Sequence, residues 1–226
     1  MTAFAFFDVD ETLVSEKTMF TILAAIGEEI AGLDPAGVIA TLHEMRDRGM
    51  PRSEVNRQFY RALKGLDRAQ VREIAARHVA ARLAQIDRPF LIPGPNDLLV
   101  HLRARGLRPV FVSGSAVDFL EPIARALGVT EILATRLEEV GGVYTGEIAG
   151  RCMIGAGKRE AVLEFMAARH AVLADCHGVG DHLSDAEFLS IVGHAHMVRG
   201  SAEAEALAAR NGWQLVDPGF CTEVAA

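Results

Sequence analysis

The sequence predicts an α/β protein, a doubly wound and mostly parallel sheet with a small helical domain inserted after the first strand. Three observations carry this. Ala3–Phe7 is a short, wholly apolar run, as expected of a strand covered on both faces, and it ends in Asp8 and Asp10. Residues 15–88 carry helical periodicity and turn signals but no strand pattern. From Pro93 onward, strand-like and helix-like segments alternate, the signature of parallel strands joined by crossovers. The predicted division is a core of residues 1–14 and 89–226 with a helical cap of residues 15–88.

Composition sets the outer limits. The chain has 226 residues, half of them hydrophobic and 23% charged, enough to bury a core and too apolar for disorder. Net charge is −7 and no basic block occurs, which excludes a nucleic-acid surface. The apolar runs are too short to cross a bilayer, and the N-terminal run ends in acids without a basic leader, so no membrane partner or signal peptide is expected. Cys152, Cys176 and Cys221 are widely spaced and form no C-x-x-C pair. They read as free thiols, and the expected setting is the cytoplasm.

In order, Lys17–Ile30 is predicted helical. Asp34 caps a second helix with Pro35 at its first position, ending at Gly49, and Ser53 caps a third that stops before Gly65. Asp67 caps a fourth, running to about Asp87. Pro95–Arg105 reads as a helix, Arg108–Val112 as a strand, Val117–Leu127 as a helix and Ile132–Thr135 as a strand. Leu137–Gly150 reads as a hairpin turning at Gly141-Gly142. A helix over Lys158–His170 and a strand over Asp175–Val179 follow. Ser184–Val192 reads as a helix opened by a capping box of Ser184 with Glu187. His196–Val198, Ala202–Asn211 and Trp213–Val216 complete the pattern as strand, helix and strand.

Four stretches carry chemistry. Asp8 and Asp10 end the first strand, with Thr12 two residues on, and paired carboxylates this close call for a shared proton or a cation. Val112-Ser113-Gly114-Ser115 follows a strand, where a hydroxyl and glycine-exposed amides suit an anion but also suit an ordinary turn. Lys158 opens a helix, where a cation opposes the macrodipole unless an anion shares the site. Gly155–Lys158 is no P-loop, because Cys152 and Arg159 occupy two of its required positions. Asp181 ends another strand and Asp185 starts the helix after it. The histidines at 177, 182, 194 and 196 match no zinc motif. Together, three carboxylates, a lysine, a hydroxyl and loop amides suit phosphoryl transfer assisted by a hard cation, Mg²⁺ by preference.

The order Asp8-x-Asp10-x-Thr12, Ser113-Gly114, Lys158 and Gly180-Asp181-x-x-x-Asp185 resembles the four motifs of the haloacid dehalogenase superfamily of phosphohydrolases. The insert after the first motif, Thr135-Arg136-Leu137 and the Thr145-Gly146 hairpin resemble its phosphoserine-phosphatase-like branch. The resemblance implies Asp8 as nucleophile and Asp10 as general acid/base, the residue that dehalogenases of the superfamily lack. It implies Mg²⁺ held by Asp8, the Asp10 carbonyl and Asp181, with Thr12 and Asp185 in support. Ser113, Gly114 and Lys158 would hold the phosphate of a small phosphomonoester. The branch's amine-reading glutamate falls on Lys17, and its carboxylate-reading arginine falls on Phe59, with Arg57 and Arg61 nearby. Phosphoserine is therefore not the expected substrate, and Lys17 is expected to meet a carboxylate or a second phosphate. Phosphoserine hydrolysis, transfer to an alcohol acceptor, and a non-catalytic phospho-ligand or signalling module remain as alternatives.

Overall fold

In the computed structural model, residues 3–219 are described. The main sheet has six strands in the order β3-β2-β1-β6-β7-β8, every neighbouring pair parallel. Its strands are β1 (Phe4–Phe7), β2 (Arg108–Ala116), β3 (Glu131–Thr135), β6 (His177–Gly180), β7 (His194–Val198) and β8 (Gln214–Val216). A separate antiparallel hairpin joins β4 (Leu137–Val140) and β5 (Val143–Ile148), turning at Gly141-Gly142, both at positive φ.

The chain starts in the middle of the sheet, builds outward through β2 and β3, and returns to the other side of β1 at β6. Strand order therefore reverses across β1. The carboxyl ends of β1, β2 and β6 lie side by side, with Phe7 in register with Phe111 and with Val179. That crevice is where an open parallel sheet takes its ligand. Both faces of β1 are filled. Ala5 and Phe7 pack with Leu99, Phe111, Leu120 and Ile123, while Phe4 and Phe6 pack with Val110, Phe165, Phe188 and Met197. A strand covered on both faces needs the apolar run that the sequence provides.

Among the described residues eight helices are longer than one turn: α1 (Thr18–Glu29), α2 (Pro35–Asp47), α3 (Arg52–Arg61), α4 (Arg68–Ala84), α5 (Pro93–Ala104), α6 (Val117–Leu127), α7 (Ala156–Ala167) and α9 (Ala202–Asn211); α8 (Ala186–Leu189) is a single turn. The caps expected at Asp34 and Asp67 are present, accepting from Gly37 N at 3.0 Å and from Gln70 N at 2.8 Å. Four predicted helix starts move, among them that of α7, which begins at Ala156 and not at Lys158. α3 begins at Arg52 behind Pro51 instead of being capped by Ser53, because proline's fixed φ already suits a helix start. α5 begins at Pro93. The expected helix over Ser184–Val192 is a 3₁₀ turn followed by α8. Its capping box is made by His182 and Asp185, not by Ser184 and Glu187. β2 also runs past Val112 to Ala116.

Helices α1–α4 share one apolar cluster with Ala116 and Phe119 of the α6 region and with Tyr144 of the hairpin. Polar contacts reinforce the seam. Arg68 grips Asp118 with two hydrogen bonds of 2.9 and 3.1 Å, and the Tyr144 hydroxyl donates to the same carboxylate at 2.8 Å. The insert thus rests on α6 and the hairpin as well as over the crevice.

Beneath β6 and β7, His177 stacks on His194 and His196 with ring centroids 4.5 and 5.2 Å apart, and its Nδ1 lies 2.9 Å from His196 Nε2. Stacked rings do not converge on a metal, and His182 sits at the other end of β6. Burial, then repulsion within the group, lowers both His177 and His196 to about 4. A histidine with a depressed folded-state pKa stabilises the fold above its unfolded value near 6.5, and that stability is lost as pH falls toward 4. Replacing His177 and His196 together by glutamine is expected to flatten the fall in Tm between pH 6.5 and 4. An unchanged slope would assign acid lability elsewhere. Cys152 and Cys176 are buried free thiols; Cys221 lies outside the described residues. No helix among the described residues is long and apolar enough to cross a membrane.

Candidate active site

The loop after β1 curls tightly. The amides of Thr12, Leu13 and Val14 all donate to the Val9 carbonyl at 2.8–3.3 Å, and Glu11 takes the left-handed conformation at φ 59°. This turn places Asp8 and Asp10 on one cavity with different partners. Asp8 Oδ1 accepts from Lys158 Nζ at 2.8 Å, and its Oδ2 takes no hydrogen bond among the described residues. Asp10 Oδ1 accepts the Thr18 amide at 2.9 Å, and its Oδ2 is hydrogen-bonded by the Ser115 hydroxyl. Thr18 is the first residue of α1, so the insert itself orients Asp10.

Lys158 is almost fully buried in the first turn of α7. It bridges Asp8 and Asp185, at 2.6 Å from the latter, with the Phe188 ring 5.7 Å away. Burial alone would lower its pKa, but the Asp185 and Asp8 charges outweigh burial and raise it. Lys158 is therefore a fixed cation. Asp185, wholly buried, also accepts the Asp181 and His182 amides at 3.3 and 3.1 Å, which ties the loop after β6 to α7. Among the described residues the Asp181 carboxylate receives only the Thr12 hydroxyl, at 2.7 Å. Burial first, then Asp185, raises its pKa to about 6. Asp8 is raised well above the ordinary range by burial, opposed by Lys158 and reinforced by Asp185 and Asp181. Burial raises Asp10 too, against the hydrogen bonds from Ser115 and Thr18.

Three carboxylates facing one lysine leave the pocket short of positive charge. Asp8, Asp181 and Asp185 each offer an oxygen within 4.8 Å of the others'. That donor set, hard oxygens with an uncompensated charge, fits a divalent cation such as Mg²⁺. It differs in part from the set inferred by resemblance, which placed Asp185 only in support.

Gly180 is held by packing. A Cβ there would come within 2.7–2.9 Å of the Asp185 carboxyl group, which Lys158 and two amides keep in place. Gly180→Ala is expected to cost about 1–3 kcal/mol of stability by overpacking and to depress turnover by tilting Asp185. Paired melts and rates check this, and an unchanged Tm would mean that Asp185 moves freely.

On the β2 side, Ser113 Oγ accepts the Ser115 amide at 3.1 Å, which leaves its O–H free to donate into the cavity. The Gly114 carbonyl accepts from three side chains: Tyr60 Oη at 2.8 Å, Asn56 Nδ2 at 3.2 Å and Thr135 Oγ1 at 2.9 Å. Two of these donors come from α3. Ser115, Thr18, Asn56 and Tyr60 were not singled out from the sequence, since only the fold brings them to Asp10 and Gly114.

The cavity above these groups has a volume of about 480 Å³ and is lined by Asp8, Asp10, Ser113, Gly114, Lys158 and Asp181 at its floor. Lys17 reaches it as expected, but pairs with Glu11 at 3.2 Å. The other cap positions that the resemblance pointed to do not reach it. Phe59 is packed among Phe20, Tyr60 and Phe119; Arg57 faces Glu54 and Arg61 faces Glu147. Glu16 is turned away, and although burial raises its pKa, hydrogen bonds from His78, Arg82 and Thr21 bring it to about 2. The cap residues that line the cavity with polar side chains, besides Lys17, include the cations Arg46 and Arg52 and the imidazole of His43.

Fold and site together define an α/β enzyme with its acids at the switch point of a parallel sheet. The chain belongs to the haloacid dehalogenase-like hydrolase family, whose model matches residues 5–190. It is 31% identical over 223 residues to a protein of Mycobacterium tuberculosis named Probable phosphatase Rv3661, covering 94% of this chain and 74% of that one. Phosphoserine phosphatase SerB1 of the same organism is 29% identical, with 96% and 71% covered. Among solved structures, a protein of unknown function from Bordetella pertussis superposes with a TM-score of 0.82 at 25% identity, covering 96% of this chain and all of that one.

Proposed function

We propose that the chain is a Mg²⁺-dependent phosphomonoesterase working through a phosphorylated Asp8. The observation that carries this reading is the buried Lys158 clamped between Asp8 and Asp185, which orients one Asp8 oxygen and leaves the other unbonded in the cavity. Asp8 Oδ2 attacks phosphorus as the ester P–O bond breaks, and the departing alkoxide takes the Asp10 proton. Burial favours the protonated form of Asp10 that this step needs. In the second step Asp10, now a carboxylate, takes a proton from water whose oxygen attacks phosphorus, and Asp8 leaves.

Ser113 and the Gly114 loop donate to the phosphoryl oxygens while Lys158 offsets their charge. A divalent cation held by Asp8, Asp181 and the Asp10 carbonyl, with Asp185 alongside, would neutralise the meeting of phosphate and carboxylates. Residues 15–88 act as the cap that selects the alcohol. That alcohol is not strictly serine, because Lys17 stands where the amine reader of a phosphoserine phosphatase would stand, and Phe59, at the sequence position of its carboxylate reader, is buried outside the cavity. The relatives named as phosphatases support the chemistry.

The test is phosphate release from a panel of phosphomonoesters with Mg²⁺, beside EDTA and with an acceptor alcohol to expose transfer. Metal-dependent release is expected. Asp10→Asn is expected to slow turnover by about 10²–10⁴-fold, the usual worth of a general acid/base. A loss below tenfold with a poor leaving group would remove Asp10 from that role.

A further inference from the structure

We infer that the substrate is a phosphomonoester of an alcohol carrying an apolar chain, and that the cap rejects esters of amino alcohols; this rests on the phosphomonoesterase reading above. The cap side of the cavity is lined by Met19 and Phe20 of α1, Leu42 of α2, Met50, and Val55 of α3, with Ile154 opposite on the core. Met19, Phe20, Val55 and Ile154 are only part-buried and Met50 is 43% exposed, so a ligand's chain would cover apolar surface that water now touches. At about 30 Å³ of liquid per water molecule, a cavity of about 480 Å³ holds far more than a serine ester.

The charge inventory argues against an ammonium-bearing alcohol. The acids lining the cavity are Asp8, Asp10, Asp181 and Glu11. The first three serve the phosphate end, and Glu11 is paired with Lys17. Glu16, just before α1, is tied to Arg82 and His78. Among the described residues no lining carboxylate on the cap remains to receive an ammonium, while Arg52, unlike Lys17 and Arg46, has no acid partner there and repels one. Arg52 itself rests on His182 and on Ser184 Oγ, at 3.3 Å from the latter, among neutral partners at the rim.

The experiment measures kcat/KM with Mg²⁺ for ethyl, butyl, hexyl and octyl phosphate, beside phosphoserine, phosphoethanolamine and acetyl phosphate. The expected result is a rise of about threefold per methylene until the cavity fills, with both amino esters below butyl phosphate. A flat alkyl series, or phosphoserine as the best substrate, overturns the inference. Met50→Glu, at an exposed position that cannot unfold the core, is expected to flatten the rise among the longer esters; an unaltered slope overturns the placement of the chain against the cap. Release from acetyl phosphate with a flat series refutes only the apolar-chain inference. No release from any ester or from acetyl phosphate refutes the hydrolase reading beneath it as well.

Discussion

Asp8→Asn should reduce phosphate release by about 10⁴-fold or more, because a carboxamide cannot form the acyl phosphate and other groups cannot replace a lost nucleophile. The fold should survive. Asp8 sits against Asp181 and Asp185 with one lysine among them, and an amide in its place removes one of three crowded charges while still accepting from Lys158. The expected Tm without divalent cation is therefore equal to or above that of the parent. Single-turnover kinetics and melts on the same preparation check both halves. Residual turnover above about a hundredth of the parent, with an intact fold, would mean that another group attacks phosphorus.

Lys158→Met should have the largest effect on stability. It leaves Asp8 and the wholly buried Asp185 without their cation, and breaking a buried ion pair from one side costs about 3–5 kcal/mol. For a chain of this size each kcal/mol moves Tm by about 2–4 °C, so a loss on the order of 10 °C is expected in the absence of divalent cation. Added Mg²⁺ should return part of it, because a cation among Asp8, Asp181 and Asp185 relieves the same repulsion. A fall of less than about 3 °C would show that water already screens the cluster.

Much of the floor of the site was legible in the sequence. The apolar run before Asp8 marks a strand buried on both faces, and its acids fall at the carboxyl end by chain order alone. Asp181 is legible for the same reason, ending a strand before a helix start, and Lys158 because a cation in a first helical turn asks for an anion. What escaped depends on tertiary geometry. Ser115 was hidden because β2 continues four residues past Val112, carrying its hydroxyl to Asp10. The cap was only partly legible because position in the chain does not give helix rotation: Lys17 reaches the cavity, Arg57 and Arg61 face acids outside it, and Arg46 and Arg52 line it. The short helix after Asp181 was overestimated because its opening residues serve the site. His182 and Asp185 cap each other, and Asp185 turns inward to Lys158 instead of starting a longer helix.

The Gly114 carbonyl has a consequence for recombining such proteins. Asn56 and Tyr60 bond it from the insert, the same insert's Thr18 amide orients Asp10, and α6 lends its apolar face to the insert's interior. A chimera that grafts a foreign insert onto this core would lose two of the three donors on that carbonyl, and with Thr18 the alignment of Asp10. It would also leave Phe119 without its cover. Exchange of whole inserts between relatives is thus barred unless the incoming helix brings its own amide and phenol, whereas point changes at Met50, Arg46 or His43 leave that joint untouched. New substrate ranges in this lineage should therefore arise by substitution at the cavity rim and not by shuffling segments.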